Sequence, residues 1–136
     1  MKALSAGIFT KFTGSAFSTS IGGRLYKGRA PQGVVWPYAV YFVVDDSPAD
    51  TFTDSIEDVL VQFSLFSSAS GTTEIEDIFT SLKALFDNSS FTVTGNTLIE
   101  MERQSASLTS IDADTEAGTG EYWMYVVEYR VTMQKN

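Results

Sequence analysis

The chain has 136 residues, 43% of them hydrophobic, including ten Phe, six Tyr and two Trp; this is the length of one domain, residues 1–136, with enough large apolar side chains for one packed core. It contains no histidine and no cysteine, which excludes Ser-His-Asp, Cys-His and zinc chemistry as well as disulfides. The net charge of −8 speaks against nucleic-acid binding by phosphate neutralisation. From the N-terminus, Leu4, Ile8 and Phe12 fall at i, i+4, i+8 and predict a short helix. Residues 14–37 are rich in Gly, Ser, Arg and Pro, with Phe17, Ile21, Leu25, Tyr26 and Trp36 interspersed, and predict an ordered loop with room for one helical turn. Tyr38 to Val44 is β-branched and aromatic and predicts a strand, closed by a turn at Asp45-Asp46-Ser47-Pro48. Ser55 to Phe66 predicts a second strand, because Val59, Val61, Phe63 and Leu65 alternate with Gln62 and Ser64.

The clearest helix starts at Thr73, where Thr73-Glu74-Ile75-Glu76 has capping-box spacing. Ile75, Ile78, Phe79, Leu82 and Phe86 form one apolar stripe, with acids in the first turn and Lys83 near the end. Phe91 to Arg103 reads as a hairpin turning at Gly95-Asn96. Ser105 to Glu121 is polar and Gly-containing and reads as a connection, acidic over Ile111 to Glu121. In Tyr122 to Met133, Trp123, Tyr125, Val127, Tyr129, Val131 and Met133 share one face of a strand about 40 Å long, at a rise of roughly 3.3 Å per residue. A strand that long should project from its own core or run against a neighbour. The element order implies an α+β domain: a largely antiparallel or mixed sheet of about four to five strands with helices packed on one face.

Residues that could carry chemistry are few. Gly28 to Gly33 has the Gly-to-Gly spacing of a phosphate loop, but Val34-Val35 stand where Lys and Ser or Thr are required. Asp112-Ala113-Asp114-Thr115-Glu116 resembles a calcium loop, yet Ala117 and Trp123 occupy the positions that need Gly and Glu. The pairs Asp45-Asp46 and Glu100, Glu102 offer carboxylates without a nucleophile beside them, and read as a turn and a solvent-facing strand edge. Trp36, Tyr38, Tyr41 and Phe42 read as core or interface, since a base-stacking platform would need cations among them. No cofactor, metal ion or catalytic residue is indicated. No stretch approaches the ~18 apolar residues of a membrane span, so a soluble chain is expected in the cytoplasm of its maker.

Ile21-Gly22-Gly23-Arg24-Leu25-Tyr26, Ala30-Pro31-Gln32-Gly33, Pro37-Tyr38-Ala39-Val40-Tyr41 and Val61-Gln62-Phe63-Ser64-Leu65-Phe66-Ser67 together resemble the small tail-completion, or tail-terminator, proteins of long-tailed bacteriophages, prophages and gene transfer agents. The helix carrying Ile78, Leu82 and Phe86 matches in kind, and the acidic stretch Ile111 to Glu121 departs from the pattern. The resemblance implies a structural virion protein located in the tail or neck and assembled in the host cytoplasm: a homo-oligomeric ring, typically a hexamer, that caps the tail tube, ends its polymerisation and presents the head-tail joining surface. Its implied partners are copies of itself, the tail tube protein and a head-completion or connector protein, with DNA only passing through the channel. Arg24, Tyr26, Pro31, Trp36, Trp123, Tyr125 and Tyr129 are then the candidate intersubunit or tube contacts. Another neck or baseplate adaptor, or a small-ligand-binding domain, are the alternative readings.

Overall fold

A computed structural model describes residues 2–50, 55–115 and 118–136, the side chains of 112–120 excepted. In chain order the elements are α1 (Lys2–Phe12), α2 (Ala16–Ser20), β1 (Leu25–Lys27), β2 (Tyr38–Pro48), β3 (Ile56–Ser67), α3 (Thr73–Phe86), β4 (Asn96–Thr115) and β5 (Gly118–Lys135). The strands form one sheet in the order β1-β2-β3-β5-β4, with β1 parallel to β2 and every other pair antiparallel. The α+β class and the mixed sheet match the sequence expectation.

Period-2 alternation decides where the core lies. Val59, Val61, Phe63 and Leu65 of β3 and Val127, Tyr129, Val131 and Met133 of β5 are all fully buried on one face of the sheet. All three helices cover that face: Leu4, Ile8 and Phe12 from α1, Phe17 from α2, and the stripe Ile75, Ile78, Phe79, Leu82, Phe86 from α3 join the same cluster. Phe63 stands at its centre, stacked on Phe86 at 5.1 Å between ring centroids and edge-on to Tyr129 at 5.8 Å. Burying aromatic pairs in offset and T-shaped contacts adds about 0.5–1.5 kcal/mol each beyond their area.

Several local expectations are corrected. β1 lies inside the stretch read as a loop; three residues are too few to show a period, and the strand exists because β2 offers it a ladder. The Asp45 to Pro48 turn is instead strand, continued past a bulge at Val44 by pairing with Leu60 to Glu57. The first arm of the expected hairpin is reduced to one bridge, Val93 to Asn96, so β4 starts at the turn itself. Ser105 to Glu121 is not a loop: β4 runs on to Thr115 and pairs with β5 from Gly118. Polarity misled there because Ser105 to Ser110 is exposed apart from Leu108, so burial imposes no apolar period on it. The capping box also fails. Thr72 is the N-cap of α3 without a side-chain cap bond, its hydroxyl donates to the Glu76 carboxylate at 3.3 Å, and Glu74 accepts from the Ser67 hydroxyl at 2.6 Å.

β3 pairs with β5 only as far as Ser67 and Trp123. Beyond that row, Ile111–Thr115 and Gly118–Tyr122 form a two-stranded arm extending past the sheet by about 16 Å, five residues at the usual rise. Among the described residues no helix is long and apolar enough to cross a membrane.

Candidate assembly surface

Among the described residues no helix lies on the second face of the sheet, yet that face is not polar. Register places Tyr38, Phe66 and Met124 in one row and Val40, Ser64 and Val126 in the next, all on this face. Phe42 and Val44 extend the apolar strip along β2 and are 36% and 46% exposed. A sheet covered on both sides would read as continuous apolar runs; one covered once should alternate, and β2 keeps apolar residues at both sets of positions. Exposed apolar patches of this kind mark interaction sites.

Residues 28–37 fold over one end of this face. Arg24 Nε donates to the Pro37 carbonyl at 2.9 Å and closes the base of the loop, and the chain enters β2 through a cis Trp36-Pro37 bond. Trp36 is the hub: its ring lies 5.0 Å from Tyr38, 6.2 Å from Phe66 and 5.2 Å from Tyr122. Tyr38 stacks on Phe66 at 4.7 Å, and Tyr26 lies 6.4 Å from Tyr38. Burial, then the neighbouring Tyr122, pushes the Tyr38 phenol above its ordinary range, so it acts here as a neutral amphipathic ring. Between loop and strands lies a shallow depression of about 400 Å³, lined by Pro31, Val34, Tyr38, Val40, Phe42 and Phe66 among others, and Val35, next in the loop, is 62% exposed.

Four of the seven sequence-chosen contact residues therefore meet in one region: Arg24, Tyr26, Pro31 and Trp36. The other three lie on the helix-covered face. Tyr125 stacks on Phe79 at 4.1 Å, and Trp123 is half-buried at the edge of the core near Ser68 to Ser70. Tyr129 is fully buried, and its hydroxyl donates to Asp87 Oδ1 at 2.5 Å, while Asp87 pairs with Arg103 at 3.4 Å. Burial, followed by that carboxylate, holds the Tyr129 phenol far above its ordinary range. Tyr129 thus ties the end of α3 to β5 within its own subunit. Of the aromatic run, Tyr41 is core and Trp36, Tyr38 and Phe42 are surface. Phe66 and Tyr122 were not singled out as contacts from sequence; their signal was an aromatic residue in phase with the polar positions of its strand, Gln62 and Ser64 for Phe66, Glu128 and Arg130 for Tyr122.

Nothing in the remaining geometry assembles a reaction centre from the described residues. Asp45 and Asp46 are exposed, Glu100 and Glu102 are exposed on β4, and no group of acids among the described residues could hold a metal ion. The Asp112 to Glu116 side chains lie outside the described residues. Two further depressions, one between α1 and residues 90–94 and one beside the start of α3, contain at most two acids, Glu74 and Asp77, neither of them buried.

A sequence search of curated proteins finds no match. Among solved structures the fold is similar to a chain of a structure described as "Virion of native gene transfer agent (GTA) particle", with a TM-score of 0.71 at 14% identity, covering 95% of this chain and 94% of that one. The family model described as Tail completion protein gp17 matches residues 7–133, spanning α1 to β5 and including the aromatic face. The chain therefore belongs to the tail completion protein gp17 family and is a structural protein of the phage tail.

Proposed function

We propose that this protein acts as a ring, a hexamer of identical subunits, that seats on the last ring of the tail tube, ends its polymerisation and presents the surface to which the head joins. The observation that carries the reading is the second sheet face: an apolar strip from Phe42 to Phe66, crowned by the Trp36 cluster, over which the described residues place the 28–37 loop at one end but no helix or strand. A subunit whose second sheet face is built for cover finds that cover in other subunits. Its partners are then further copies of the chain, the tail tube protein and a head-completion or connector protein, and DNA only passes through. The net charge of −8 suits a channel wall along which phosphates slide without sticking. No catalysis is assigned to it.

Incubating purified tail tubes with the protein and imaging them tests this reading. Decoration of one tube end, with elongation stopped there, is the expected outcome. Binding along the tube sides or at the baseplate end would instead favour an adaptor elsewhere in the virion.

A further inference from the structure

The sheet has two outer edges, and they differ. Among the strands β4 pairs only with β5; its outer edge is met at Met101, whose carbonyl accepts from Asn88 N–H at 3.0 Å, and no described strand pairs with that edge beyond it. Open edges are ordinarily blunted by bulges, charge or proline. The first third of β4 follows that rule, with bulges at Ile99 and Gln104 and with Glu100, Glu102 and Arg103 between them. The next seven residues, Ser105-Ala106-Ser107-Leu108-Thr109-Ser110-Ile111, contain no bulge, charge, glycine or proline. This stretch is left fit for pairing.

The opposite edge is β1 and the loop that follows it. Ala39 N–H donates to Arg24 C=O and Gly28 N–H to Tyr41 C=O, so in this parallel ladder the Leu25 carbonyl and the Lys27 amide point away from β2. Tracing the register across the sheet gives three complete rows. Leu25, Ala39, Leu65, Tyr125 and Leu108 make one; Tyr26, Val40, Ser64, Val126 and Ser107 the next; Lys27, Tyr41, Phe63, Val127 and Ala106 the third. The free part of β1 therefore stands at the same height as the centre of the unprotected stretch of β4, on the far side of the sheet, roughly 19 Å away for four inter-strand spacings.

We infer that neighbouring copies join through a heterologous seam in which the β1 edge and the loop after it, from one copy, lie against Ser105–Leu108 of β4 in the next. This rests on the ring reading above and specifies its subunit contact. Two different patches on opposite sides, with no axial offset, generate a closed ring, whereas an offset would generate a helix. Strand direction agrees, because β1 and β4 run oppositely within the sheet and a rotation about an axis along the strands keeps them so: the new pair is antiparallel. Charge agrees as well. Past Lys27 the chain carries Arg29, and in the matching direction β4 carries Arg103, already paired with Asp87, and then Glu102 and Glu100, all exposed.

The chain has no cysteine, which makes engineered thiols the sole ones present. Lys27→Cys combined with Ala106→Cys, mildly oxidised in the presence of tail tubes, should give a ladder of covalent multimers ending at the ring number, with each single variant uncrosslinked. Ser107→Lys should weaken self-association about tenfold or more by charging the edge, without lowering the unfolding temperature. Tube capping without a ladder overturns the seam and leaves the ring standing. Dimers from Ala106→Cys alone would show β4 pairing with its own symmetry mate and overturn the seam too. A wild-type chain that neither caps tubes nor self-associates removes ring and seam together.

Discussion

Gly7 shows how a single position can reverse a general rule. Replacing a helical glycine by alanine normally stabilises by roughly 0.5–1 kcal/mol. Here an added Cβ would stand 2.7 Å from the Thr92 carbonyl oxygen and 3.0 Å from the Phe91 ring, because α1 packs directly on that backbone. Gly7→Ala is therefore expected to destabilise by about 1–3 kcal/mol, the range for overpacking, read as a lowered urea midpoint. Tyr129→Phe keeps the ring but removes the donor to Asp87, leaving that carboxylate to Arg103; a loss of about 1–2 kcal/mol is expected. Asp58 supplies a pH signature. The Thr132 hydroxyl, at 2.8 Å, and the Arg130 guanidinium, at 3.1 Å, hold its carboxyl below the ordinary aspartate range. A depressed folded-state pKa contributes stability above the unfolded value, near pH 4, that is lost as pH falls through the folded value. Asp58→Asn should lower stability at neutral pH and flatten the decline below about pH 4, measurable by denaturant titration across pH.

At the scale of elements, what could be read from sequence depended on which face needed cover. α3 and the buried halves of β3 and β5 were legible because burial imposes a period, and Ile75 to Phe86 and Val127 to Met133 show it without interruption. β1 and the distal β4-β5 arm were not, since each exists by pairing with a partner strand, and in β1 the single buried residue Leu25 is too little to show a period. The assembly surface was half legible. The Gly, Arg and Pro text around Arg24, Pro31 and Trp36 marks a shaped loop, but that Tyr129 points inward while Phe66 and Tyr122 point outward follows only from register. Trp36 touches three rings, so Trp36→Ala is expected to loosen the loop over β2 and weaken tube capping by at least about tenfold, with secondary structure by circular dichroism unchanged. Phe63→Ala, at the core's centre, should instead cost about 3–5 kcal/mol of folding stability.

For the whole molecule, a core closed on one side of a sheet is joined to an opposite side that keeps an apolar strip along β2 and the Trp36 cluster. Membership of the tail completion family gives the chain a place in the phage tail, and the seam proposed above rests on the matched heights of the two sheet edges. Electron microscopy of tail tubes assembled with and without the protein tests the central claim most directly. A single closed ring at one end of tubes that no longer elongate is the expected image; tubes that keep growing, or protein scattered along their sides, would refute the ring.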